Sequence, residues 1–187
     1  FPGGKRDEAD ASPSALASLD QPLSVLHAQL GEPDIAPEHA GSLFVAALRE
    51  AQEECSLQLR CTDLRPWSRW ITPRRPAMMS KRFDTRFFLA RAPQAQDPLH
   101  DDGETIASLW VSPNEALAMF KRGELAMMPP TVRNLEFLQP HRTADDALVA
   151  ATKVGIPPAI LPRIRVDSEG KVLGVVLPGE PGYDELA

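Results

Sequence analysis

Residues 46–60 read AALREAQEECSLQLR. Arg49, Glu50, Glu53 and Glu54 crowd four charges into six positions of an alanine-rich run. On a helix, the three glutamates stand at i, i+3 and i+4, so their carboxylates converge on one face. Like charges at that spacing repel by roughly a few tenths of a kcal/mol per pair. Two readings follow. The face is solvated and acidic, eased by an i, i+4 pair between Arg49 and Glu53. Alternatively, it is half of a site for a hard divalent cation, which takes oxygen ligands and would relieve the repulsion.

Outward from this run, the pattern predicts a mixed α/β chain. Pro37 is suited to the first turn of a helix over about Pro37 to Cys55. Leu16, Leu19, Leu23, Leu26 and Leu30 are spaced as a helix interrupted or kinked at Pro22. SLQLR (56–60) and RWIT (69–72) read as short strands, and RFDTRFFLAR (82–91) as the firmest strand in the chain. TIASLWVS (105–112) predicts another strand. SPNE opens a helix with a capping box from Ser112 to Glu115, and Gly123 follows its end. PPTVRNLEFLQ and TADDALVAATK predict two more helices. A hairpin is expected around DSEGK (167–171), followed by a Pro- and Gly-rich end.

The chain has 187 residues, 43% apolar and 25% charged, with a net charge of −6. These are values of an ordinary globular domain with a sizeable core. The acidic balance argues against a broad nucleic-acid surface. No apolar run approaches the roughly 18 residues of a membrane span. Cys55 and Cys61 read as reduced core or boundary residues of a cytoplasmic protein. The four histidines lack metal-ligand spacing. The opening FPGG, without methionine, reads as the start of a fragment.

FPGG and the glutamate run together resemble the Nudix hydrolase signature, G-x5-E-x7-R-E-U-x-E-E-x-G-U, where U is aliphatic. Arg49-Glu50-Ala51-Gln52-Glu53-Glu54-Cys55-Ser56-Leu57 matches its second half, with Ser56 in place of glycine. Gly4 and Asp10 resemble the first half, with aspartate for glutamate. The spacing departs: 38 residues separate Asp10 from Arg49 where the signature has seven. A helical insertion of about residues 11–40 would split the motif. FPGGK, RFDTRFF and WVSPNEAL, with that split, resemble the peroxisomal coenzyme A diphosphatase-like subgroup and its bacterial relatives.

The resemblance implies a Nudix-type α/β/α sandwich with a mixed sheet over about residues 1–140, lacking its N-terminal strands, and an appendage over 141–187. It implies metal-dependent hydrolysis of a pyrophosphate bond in a nucleoside diphosphate linked to another group, such as coenzyme A or its acyl esters. Mg2+ or Mn2+ would be held by Glu50, Glu53, Glu54 and the Gly4 carbonyl. Arg49 would hold the glutamates by ion pairing, and Glu50, Glu53 or a distal Glu104 would serve catalysis. Arg82 and Arg86 would reach substrate phosphates, or pair with neighbouring charges in the bland reading. Trp70 and Trp110 are expected to pack in the core, or else to stack on a base. The partner is a small-molecule nucleotide derivative, with no membrane, no nucleic acid, and room for a homodimer. The rival reading is a non-catalytic Nudix-fold module that binds or senses a nucleotide, since a fold does not fix a function.

Overall fold

The computed structural model describes residues 2–73, 81–96 and 109–186. Helices and strands make an α+β chain with both parallel and antiparallel strand pairing. It divides into two compact units: Phe1–Pro66 with Phe88–Ile156, and Trp67–Phe87 with Pro157–Ala187. The division does not fall at residue 140. Among the described residues, no helix is long and apolar enough to cross a membrane.

The first unit is built on α3, Pro37–Cys55, the helix read from the sequence. Proline at its first turn costs no hydrogen bond and presets the backbone. Its far end closes on Ser56, whose φ of 55° and ψ of 22° are left-handed. The Ser56 N–H donates to the Gln52 carbonyl and the Leu57 N–H to Ala51, as in a Schellman close. Before it stand α1 (Pro13–Ala17) and α2 (Leu23–Leu30). Pro22 is the N-cap of α2, so the leucine periodicity is cut into two helices rather than bent. Leu26, Leu30, Ala40, Phe44, Cys61 and Leu64 form the core, and Phe88 closes it with its ring 5.0 Å from that of Phe44. Each such buried Leu or Phe contributes about 1.5–3 kcal/mol.

Two features press the inserted helices onto α3. A Cβ on Gly41 would stand 2.5 Å from Leu23 Cδ2 and 3.1 Å from Leu16 Cδ2, so the absent side chain lets the helices close up. Asp20, just after α1, accepts from the Cys61 N–H at 2.8 Å and the Thr62 hydroxyl at 2.9 Å, and pairs with Arg60 at 3.3 Å. Further along, α4 (Pro113–Lys121) and α5 (Pro129–Leu138) share a smaller cluster of Ala116, Leu117 and Leu135. Ser112 Oγ accepts from the Glu115 N–H, and Gly123 takes a φ of 76° beyond the helix end. Helix α6 (Ala144–Val154) starts from a Thr143–Asp146 capping box.

The second unit carries a sheet ordered β2-β1-β3, with β1 at Arg65–Ile71, β2 at Asp84–Leu89 and β3 at Ala159–Ile160. Strand β3 runs parallel to β1, with Arg69 opposite Ala159 and Trp70 opposite Ile160. The hairpin around DSEGK is present: β4 (Arg163–Val166) pairs antiparallel with β5 (Val172–Val176). Asp167 Oδ1 accepts the N–H groups of Glu169 and Lys171 and pins the turn. Arg163 lies 4.3 Å over the Tyr183 ring and donates to the carbonyls of Tyr183 and Leu186.

Two strand expectations are corrected. SLQLR forms no strand. The side-chain amide of Gln96 accepts from the Gln58 N–H and donates to the Gln58 carbonyl, so a glutamine takes the bonds a neighbouring strand would have made. Within TIASLWVS, residues 109–112 are outside any strand, and 105–108 lie outside the described residues. Trp110 there is 75% exposed, whereas Trp70 is buried, so only Trp70 packs in a core.

Candidate active site

The glutamate cluster and the FPGG turn, with 45 residues between Gly4 and Glu50, meet in the first unit. The Gly3 N–H donates to Glu54 Oε2 at 3.0 Å. Gly4 lies against Glu50: a Cβ there would stand 2.2 Å from Glu50 Oε1 and 2.7 Å from Oε2. Only a residue without a side chain lets the backbone come this close.

Arg49 ties the parts together. Its Nε donates to Asp10 Oδ1 at 3.0 Å and its Nη2 to Asp10 Oδ2 at 3.1 Å, a two-pronged grip on one carboxylate. Nη1 donates to Glu50 Oε1 at 2.9 Å and Glu53 Oε2 at 2.8 Å. Nη2 also donates to the Lys5 carbonyl at 3.1 Å. Asp10 is 2% exposed and accepts the Asp7 N–H at 2.7 Å as well. Burial pushes the Asp10 carboxyl up, but the Arg49 and Asp7 hydrogen bonds outweigh it and hold its pKa below the ordinary value. The hydrogen bonds Arg49 donates to Asp10 lead the raising of the Arg49 pKa, against burial and with Glu53 and Glu50 adding to it. Thus Arg49 touches carboxylates, as expected. Its grip on Asp10 across the insertion and on the Lys5 carbonyl was not foreseen. The signal lay in the aspartate standing where the signature has glutamate.

The glutamates differ in exposure. The Glu50 side chain is 12% exposed and that of Glu53 57%. Among the described residues, no group of three or more His, Cys, Asp or Glu side chains is arranged to hold a metal ion. The bonds explain why: Arg49 engages Glu50 and Glu53, and Gly3 engages Glu54. The donor set is nevertheless all oxygen, with one guanidinium facing several carboxylates, which suits a hard divalent cation. Glu50 and Glu54 carry oxygen donors of the kind such an ion takes, and Gly3 and Gly4 lie against them.

The other expected site residues are placed as follows. Arg82, in the second unit, donates through Nε and Nη2 to the Thr72 carbonyl. Arg86, also there, donates to the Asp84 carbonyl and pairs with its carboxylate at 3.2 Å. Arg69 grips the same Asp84 with two bonds at 2.8 and 2.7 Å. Burial raises the Asp84 pKa and these arginines bring it below the ordinary value. Both candidate phosphate ligands therefore engage neighbours in their own unit. Exposure along β2 does not alternate: Asp84 and Thr85 are exposed, and Arg86 to Leu89 are half-buried. Glu104 lies outside the described residues.

Residues 51–138 match the family model described as the NUDT19 Nudix domain. Over 97 residues the chain is 38% identical to the acyl-coenzyme A diphosphatase NUDT19 of Gallus gallus, covering 44% of this chain and 25% of that protein. The NUDT19 acyl-coenzyme A diphosphatase of Xenopus laevis is 33% identical over 87 residues, covering 43% of this chain and 23% of its own length. The chain spans about a quarter of the length of these curated relatives. No solved structure matches it.

Proposed function

We propose that the chain is a Nudix hydrolase that cleaves a pyrophosphate bond in a nucleoside diphosphate derivative, with acyl-coenzyme A thioesters as the substrate class, a reading supported by the family model and the two relatives. The observation that carries this reading is the meeting of Gly3 and Gly4 with Glu54 and Glu50, and of Asp10 with Arg49, around the insertion. A surface helix that was merely acidic would have no need of that meeting.

In the reaction, a water oxygen bonds to one phosphorus, the bridging P–O bond breaks, and a water proton is lost. The products are two phosphate monoesters. Mg2+ or Mn2+, when bound, supplies charge neutralisation on the phosphate oxygens and acidifies water. Glu50, Glu54 and the Gly4 carbonyl would hold it, with Glu53 at the solvent side. Arg49 acts through the carboxylates: it ties Glu50 and Glu53 to Asp10 and the Lys5 carbonyl and balances their charge. Glu104 is the proposed distal carboxylate for the water proton.

A non-catalytic nucleotide-binding module is the second reading. It is favoured by one observation, that the three glutamates already have protein partners. Hydrolysis of coenzyme A, an acyl-coenzyme A and ADP-ribose with Mg2+ and with Mn2+ separates the two. Metal-dependent release of the monoesters supports the enzyme; saturable nucleotide binding without release supports the module.

A further inference from the structure

Beside the glutamates, the first unit holds an open cleft of about 430 Å3. Leu19 of the insertion, Val45 and Leu48 of α3, and Leu59 give it aliphatic walls, while Ser18, Asp20, Arg49 and Arg60 give it polar ones. Its size falls within the roughly 300–1,000 Å3 of small-molecule sites, and its lining is half aliphatic and half polar. Arg49 belongs to both places: it walls the cleft and bonds Glu50 and Glu53. The insertion builds one side of the cleft through Ser18, Leu19 and Asp20. Asp20 is held there by Cys61, Thr62 and Arg60. The wall is therefore tied down across the cleft's own rim.

We propose that this cleft takes the aliphatic acyl arm of a coenzyme A thioester whose diphosphate lies against the glutamates. This rests on the hydrolase reading above and adds a specificity site to it. Two features favour an acyl arm over a base or sugar. The apolar lining residues are branched aliphatics, and none of the eight lining residues offers an aromatic face to stack on. The cationic groups at the cleft are already paired with carboxylates, Arg49 with Asp10, Glu50 and Glu53, and Arg60 with Asp20. The insertion that splits the signature would then serve substrate selection.

The test uses the whole chain and a substitution that fills the cleft from its exposed rim, Ser18→Trp. Ser18 makes one side-chain bond to the Ala15 carbonyl and one backbone cap at the end of α1. Binding of coenzyme A, acetyl-coenzyme A and decanoyl-coenzyme A is measured by calorimetry without added metal, and kcat/KM for each with Mg2+. In the parent chain, decanoyl-coenzyme A should bind at least about 10-fold more tightly than the acetyl ester, since each methylene buried adds affinity. Ser18→Trp should remove most of that preference, in binding and in kcat/KM alike. Equal affinity for the two esters in the parent chain overturns the proposal, and needs no variant to fold. So does a folded Ser18→Trp chain that keeps the preference. Chain-length-dependent binding without turnover in the parent leaves the cleft standing and removes the hydrolase reading instead.

Discussion

At the scale of single residues, Glu54, Gly4, Ser56 and Arg49 make separable predictions. Glu54→Gln keeps shape and loses one anionic oxygen. On a solvated acidic face it should be neutral or stabilising by up to ~0.5 kcal/mol. At a metal site it should lower turnover at least ~100-fold, about 3 kcal/mol of transition-state stabilisation, with the metal-free melting temperature nearly unchanged. We expect the second outcome, read by pyrophosphate hydrolysis beside thermal melting. Gly4→Ala tests the close approach. The atom it meets is the free end of the Glu50 side chain, so the fold should tolerate it while the carboxylate is pushed aside. Turnover should then fall by up to ~100-fold, the scale of a 1 Å misplacement. Ser56→Gly relieves the one positive φ on a non-glycine residue among those described, and should stabilise by roughly 0.5–1 kcal/mol in urea unfolding. Arg49→Met strands the buried Asp10 charge. It should cost about 3 kcal/mol, the low end for a broken buried pair because a quarter of the Arg49 side chain is exposed.

At the scale of elements, the insertion is held by packing at Gly41 and by the carboxylates Asp10 and Asp20. Gly41→Val brings two methyls into the space filled by Leu16 and Leu23. It should destabilise by about 1–3 kcal/mol, as overpacking does. The carboxylates set an acid limit. Asp10 and Asp20 have native pKa values below the ordinary 3.8: burial raises each, and their hydrogen bonds outweigh it, from Arg49 and Asp7 for one and from Thr62 and Cys61 for the other. A depressed native pKa means that the unfolded chain binds the proton more readily. Their contribution is therefore whole above the ordinary value and is lost as pH falls through the native one. Melting temperature should hold from neutrality down to about pH 4 and drop steeply below it, with Asp20→Asn flattening that drop. Cys61 behaves in the opposite sense: burial first, then the charge of Asp20, pushes its thiol up to about 12. It should resist thiol reagents in the native chain and react on unfolding.

At the scale of the whole molecule, the segment after residue 140 is not set apart as a block. Residues up to Ile156 belong to the first compact unit, and Pro157 onward joins 67–87 in the second. A chain ended after Pro162 keeps β3 beside β1 and removes both partners of the β4–β5 hairpin together, leaving no unpaired strand. Metal-dependent turnover should survive that truncation. A truncated chain that folds and fails to turn over would place the hairpin or the tail in the site.

The sequence by itself determined the local elements and the chemistry. Helix α3 was legible to both ends, because proline at its start and a left-handed close at Ser56 act within one turn. The glutamates were legible as one face, because helical spacing alone aligns them. The hairpin at Asp167 was legible, because its turn is held by its own side chain. Only the tertiary structure decided which distant pieces meet. SLQLR has the look of a strand, but the bonds of Gln58 go to Gln96, 38 positions away. Periodicity marks Leu16 to Leu30 as apolar; only packing shows that Gly41 admits them to α3. The bonds from Gly3 to Glu54 and from Arg49 to Asp10 span 51 and 39 positions. Closing such loops is an entropic cost that no local pattern reports, and burial of Leu26, Leu30 and Phe44 offsets it.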